Sequence, residues 1–204
     1  MRAPIEQFQV FPICLPAPFP AGDVNVILYK GGEALTLFDA AVNTDDAWEA
    51  LKSGLKMYGV AVSDLERLVL THHHFDHFGL VNRIADAADV EICGHPGIPH
   101  EIHQSYCYDE EHTRFHIDLL RGFGVPEAVI DEFIAHRNLL RPYIEHFPID
   151  RPLPDKSEID GFCVWHVPGH APTDTLFVRR QMDFAITGDH FLETVNPNPI
   201  IRRP

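Results

Sequence analysis

The chain has 204 residues, 16 Lys plus Arg against 30 Asp plus Glu, and a formal charge of -14 with histidine neutral. With 45% hydrophobic and 23% charged residues it carries enough apolar material for a sizeable core, which excludes a disordered or fibrous chain. The acidity argues against nucleic acid and anionic membrane surfaces as partners, since both need clustered positive charge. No apolar run approaches the roughly 20 residues that cross a bilayer, and the start lacks a basic segment followed by a long apolar stretch, so a cytoplasmic location is expected.

In chain order, Phe8 to Asp39 reads as extended. Val24, Val26 and Leu28 alternate with other residues, Gly31-Gly32 marks a hairpin turn, and Leu35, Leu37 and Phe38 resume a strand, so two antiparallel strands are expected. Residues 44–58 open on a capping Thr44 with early acids, place Trp48, Leu51 and Leu55 on one face, and stop at Gly59, the pattern of an amphipathic helix. Leu65 to Leu70 reads as a strand, 79–88 as a helix and Val90 to Cys93 as a return to the sheet, an alternation that predicts α/β layers. Residues 98–150 are rich in acids, histidine and aromatics and read as an inserted helical cap. One helix is expected near 110–121, ending at Gly122; the other starts at Pro126 with Val129, Ile130, Phe133 and Ile134 facing inward. After a Pro-rich link, strands are expected at Phe162 to Val167, Thr175 to Arg179 and Phe184 to Thr187.

Four cysteines, Cys14, Cys93, Cys107 and Cys163, form no CxxC pair and are expected as buried free thiols. The 14 histidines are more informative, because imidazole binds metals and exchanges protons near neutral pH. The strand ending at Leu70 runs into Thr71-His72-His73-His74-Phe75-Asp76-His77-Phe78-Gly79. In an extended backbone side chains two apart share a side, so His72 and His74 can meet one metal while His73 points away. Asp76 and His77 then fall where the next helix begins and could hold a second ion about 3.5–4 Å from the first. Pro168-Gly169-His170 ends a second strand and Thr187-Gly188-Asp189 a third. Three strand ends thus bring nitrogen and oxygen ligands to one edge, a set suited to zinc, manganese or iron. The pairs His112/His116 and His100/His103 are read as exposed or core-satisfied, and Arg179-Arg180 and Arg202-Arg203 as solvated surface.

The order and spacing of HxHxDH, PGH and TGD resemble the metallo-β-lactamase fold superfamily of metallohydrolases over nearly the whole chain, with Asp39 of LFDAA matching the acid that family members place beneath the metal loop. The resemblance implies an αββα sandwich, here one domain over 1–204 carrying the 98–150 cap. It implies two Zn2+ ions, with Mn2+ or Fe2+ as alternatives: His72, His74 and His170 on the first, Asp76 and His77 on the second, and Asp189 bridging. An aspartate at the bridging place is similar to the glyoxalase-II-type hydrolases, whereas β-lactamases tend to have Cys or Ser there.

The family pattern also has a further histidine well after TGD, with final strands and a helix. Nothing after His190 supplies it, so the second half is expected to be incomplete, either because the chain is truncated or because His190, water or another subunit completes the site. The implied activity is hydrolysis of a small-molecule ester, thioester or lactone by hydroxide formed on paired cations, with Asp76 as the catalytic group that orients the nucleophile or takes its proton. Under this reading alanine at His73 is expected to matter far less than at His74 or Asp76. The rivals are a mononuclear iron oxygenase acting on persulfides and a metal-binding fragment without turnover. The oligomeric state is left open.

Overall fold

The structure, a computed structural model, describes residues 5–19, 22–106, 110–180, 183–193 and 196–197. Its first sheet has six strands in the order β1 (Val10–Leu15), β2 (Val24–Tyr29), β3 (Thr36–Phe38), β4 (Arg67–Val69), β5 (Glu91–Gly94) and β6 (Arg151–Pro152). The first three pair antiparallel, with Val10 opposite Tyr29 and Ile27 opposite Phe38, and β3 through β6 run parallel. The second sheet is antiparallel, in the order β10 (Phe184–Ile186), β9 (Thr175–Arg179), β8 (Phe162–His166) and β7 (Glu158–Ile159).

Alternation along the strands decides what lies between the layers. Tyr29, Phe38, Val69 and Cys93 of the first sheet meet Phe162, Val164, Phe177 and Ile186 of the second in one apolar cluster. Phe38 sits at its centre, with its ring centroid 5.4 Å from that of Phe162 and 5.1 Å from that of Phe177, both edge-on. The other face of the first sheet, through Val26, Leu28, Leu37 and Leu68, packs on Leu51 and Leu55 of helix α1 (Asp45–Met57) and on Val81 and Ile84 of α3 (Val81–Ala87). The expected metallo-β-lactamase-like sandwich is therefore present as helix, sheet and sheet. Among the described residues no helix is long and apolar enough to span a membrane.

Local chemistry accounts for the helix ends. The Thr44 hydroxyl accepts the Ala47 N–H at 3.1 Å, Asp45 and Asp46 sit in the first turn and Lys56 in the last, and Gly59 follows at φ +70. The helix expected over 79–88 is α3, preceded by a short α2 (Phe75–Phe78), and the cap region opens on a helix absent from the sequence reading, α4 (Ile98–Ser105), before α5 (Glu110–Gly122) and α6 (Glu127–Leu140). Glu145, beyond α6, accepts amide N–H groups of Asn43 at 2.8 Å and Asn82 at 2.7 Å, tying the cap back to the first layer.

Three expectations are corrected. The N-terminal segment has three strands rather than two, because β1 carries Pro12, which argues against a strand except at a sheet edge, and β1 is the edge. In α6 only Ile130 is buried; Val129 is 50% and Phe133 36% exposed. Cys14 is exposed near Asp23, whereas Cys93 is buried and Cys163 half-buried; Cys107 and Arg202-Arg203 lie outside the described residues. Replacing Phe177 by Ala is expected to cost about 3–5 kcal/mol in urea unfolding and Met57 by Ala less than about 0.5 kcal/mol; similar small losses for both would contradict the assignment of the inter-sheet core.

Candidate metal centre

Three connections deliver side chains to one edge of the sandwich. The first follows β4: Val69 and Leu70 are fully buried, and the chain turns through Thr71 to His74 before α2 begins. Gly79 lets this loop close, for its N–H donates to the Ala41 carbonyl at 2.7 Å and a Cβ there would stand 2.3 Å from the Asn43 nitrogen. The second connection runs from β8 through Pro168 and Gly169 to His170, and is tied to the first by the Thr175 N–H donating to the Thr71 carbonyl at 3.0 Å. The third leaves β10 at Ile186; Gly188, at φ +50, passes so near Thr71 that a Cβ would lie 2.5 Å from its hydroxyl oxygen. A side chain at Gly188 would push Asp189 away from the histidines.

The side chains meet in two groups that share His72. His72, His74 and His170 form one, and His72, His77 and Asp189 the other; within each, the ligand atoms lie within 4.8 Å of one another. His72 Nε2 is 3.1 Å from His74 Nδ1, and His77 Nε2 is 3.3 Å from Asp189 Oδ1. The second carboxylate oxygen of Asp189 is 3.8 Å from His170 Nε2, so this carboxylate stands between the groups. Asp76, in the first turn of α2 and half-buried, belongs to neither group, although its charge acts on His77. The structure thus gathers five of the six expected ligands, and His72 occupies a shared place that the sequence reading did not give it.

Asp39 fixes the ring orientations. At φ +63 just past β3, its carboxylate accepts the Thr71 N–H at 2.8 Å, the Thr71 hydroxyl at 2.8 Å and His77 Nδ1–H at 2.9 Å. Because the Thr71 hydroxyl donates to Asp39, it accepts from His72 Nδ1, 3.0 Å away, which leaves the His72 Nε2 lone pair facing His74 and His170. Thr71 is thus a functional residue that sequence reasoning missed; a hydroxyl directly before the first histidine was its only trace. Asp174, also missed, accepts the Ala171 N–H at 2.9 Å and faces His190 Nδ1 at 3.3 Å, so His190 joins the His170 loop to the Asp189 loop.

Burial first, and then the neighbouring imidazoles, hold His72 and His74 well below the usual histidine range, so both are neutral at pH 7. His77 is different. Burial opposes its charge, but the Asp39 charge and the hydrogen bonds to Asp189 and Asp39 outweigh it and hold it well above that range. Burial likewise raises the carboxyl of Asp189, but His77 prevails and keeps it below its ordinary value.

This donor set suits a divalent cation. Two nitrogens bound to one tetrahedral zinc at about 2.05 Å are about 3.3 Å apart, close to the spacings seen between His72 and His74 and between His77 and Asp189. Elsewhere among the described residues no third ligand joins a histidine pair: His116 Nδ1 faces the His112 carbonyl at 2.9 Å instead.

The comparisons agree with this geometry. The family model of the metallo-beta-lactamase superfamily matches residues 19–202. The chain belongs to that superfamily, a metal-dependent family. It is 35% identical to "Probable metallo-hydrolase YqjP" of Bacillus subtilis in an alignment that covers 96% of this chain and 61% of that protein. It is 29% identical to "Hydroxyacylglutathione hydrolase GloC" of Haemophilus influenzae in an alignment that covers 62% of this chain and 50% of that one. The crystal structure of the metallo-beta-lactamase family protein TTHA1429 from Thermus thermophilus superposes with a TM-score of 0.78 at 26% identity, covering 95% of this chain and 63% of the other. The chain therefore spans half to three fifths of these relatives' length.

A cation taking His77 Nε2 must displace a proton, while His72 Nε2 needs no net deprotonation. Metal uptake at pH 7 is expected to release about one proton per chain, and the affinity to fall as pH drops. Titration calorimetry in buffers of different ionisation enthalpy checks this; uptake without proton release would contradict the charge assigned to His77.

Proposed function

We propose that the protein is a metal-dependent hydrolase of esters, thioesters or lactones with small acyl groups, working with two Zn2+ ions. The observation that carries this reading is the pair of donor groups joined through His72, with Asp189 standing between them. When bound, paired cations at such a site supply hydroxide near neutral pH and polarise a carbonyl. His72 Nε2, His74 Nδ1 and His170 would hold one ion. His77 Nε2 and Asp189 would hold the other, joined by Asp76. Asp39 keeps His77 Nδ1–H engaged, so that Nε2 is the ligating atom. A carboxylate oxygen of Asp76 would orient the attacking water and accept its proton. The matches to a probable metallo-hydrolase and a hydroxyacylglutathione hydrolase favour hydrolysis over oxygenation.

An aromatic cluster beside Phe75 suits an apolar acyl group. Phe19, from the β1–β2 connection, meets Phe75 edge-on at 5.2 Å and Tyr143 of the cap at 5.6 Å, and the Tyr106 hydroxyl accepts the Phe75 N–H at 3.1 Å. The cap's excess of acidic residues disfavours an anionic substituent resting there.

The test is a panel of thioesters and lactones offered to the 204-residue chain, metal-free and then with zinc. His74→Ala and Asp76→Ala are each expected to lower zinc-dependent turnover by at least about a hundredfold with unchanged far-UV circular dichroism. Turnover that survives either change would contradict the proposal.

A further inference from the structure

His73, the middle of the three consecutive histidines, is excluded from both donor groups, yet it is 1% exposed. Its ring spans two loops that meet nowhere in the sequence. Nδ1 lies 2.8 Å from the hydroxyl of Thr173, and Nε2 lies 3.1 Å from the hydroxyl of Ser105. Thr173 is fully buried three residues past His170, in the turn where Asp174 accepts the Ala171 N–H. Ser105 is the last residue of α4, and the next residue, Tyr106, is bonded to the backbone of Phe75. The end of α4 is therefore fastened twice to the metal-ligand loop, at the neighbours on either side of His74.

From this geometry we infer that His73 is a positioning residue: it sets the spacing between the His72/His74 loop and the His170 loop through Thr173, and locks α4 to that spacing through Ser105. The inference rests on the metal-binding reading above. A hydrogen-bonded imidazole suits the task because its two nitrogens lie on opposite sides of a rigid ring, and each hydroxyl can donate or accept as the tautomer requires. Residues that orient ligands in this manner commonly change metal affinity about 10–100-fold when lost.

The experiment uses Co2+ as the probe on the full chain, reading affinity by chelator competition and ligand geometry from the visible absorption bands. Asparagine can reproduce the Nδ1 contact and glutamine the Nε2 contact, so the two links separate. His73→Ala, His73→Gln and Thr173→Val are each expected to weaken Co2+ binding by about tenfold or more and to alter the bands. His73→Asn is expected to bind within about threefold of the unaltered chain, with its bands preserved, while amide exchange in residues 98–105 quickens severalfold, as it does in Ser105→Ala. Thr173→Val keeps the β-branched shape while removing the hydroxyl, so the test survives if His73→Ala fails to fold. Unchanged affinity and bands in Thr173→Val and His73→Gln would overturn the positioning role alone. An unaltered chain that takes up no Co2+ would overturn the metal-binding reading with it.

Discussion

One buried carboxylate organises the centre. Asp39 takes three hydrogen bonds, two from Thr71 and one from His77, at the point where β3 ends in a left-handed turn. A buried carboxylate is tolerated only when its oxygens are satisfied, and here the donors that satisfy it are the groups whose orientation the site needs. Thr71 passes the constraint to His72, and His77 passes it to Asp189. The apolar contacts of Phe38, one residue earlier, anchor this carboxylate to the inter-sheet core, so the packing of the sandwich and the aim of the histidines are a single problem.

Electrostatics divide the imidazoles by role. Burial, and then the neighbouring imidazoles, drive protons off His72 and His74, where lone pairs are needed. His77 keeps its proton because two aspartates face its two nitrogens. In the linkage sense, His72 and His74 contribute stability above their ordinary value of about 6.5 that is lost as pH falls below it. His77 has the opposite sign: its contribution is present at low pH and is lost as pH rises through its elevated folded value. Acid therefore weakens the fold through the first donor group while the second resists.

Much of this was legible in the sequence because the signals were local. Period-two alternation placed His72 and His74 on one side, the capping threonine and its acids marked α1, and PGH and TGD marked two further strand ends that bring ligands to the same edge. What the sequence hid depends on the tertiary neighbourhood. Pro12 disguised β1, because whether a proline is tolerated depends on which strand is the edge. The apolar pattern of α6 suggested a buried face at Val129 and Phe133, but periodicity cannot say whether a partner covers it. Thr71, Thr173 and Ser105 are ordinary hydroxyl residues until the chain brings them against histidines, and His73 carries no sign of its two partners in the alternation that turns it away from the ligands.

The central claim is that His72, His74 and His170 hold one cation while His77, Asp189 and Asp76 hold a second beside it. Elemental mass spectrometry of the chain, dialysed after exposure to excess zinc, tests it most directly. The account predicts two zinc ions per chain, falling to one or fewer when His77 is changed to Ala. One ion per chain that is retained in the His77 variant, or none in the unaltered protein, would contradict it.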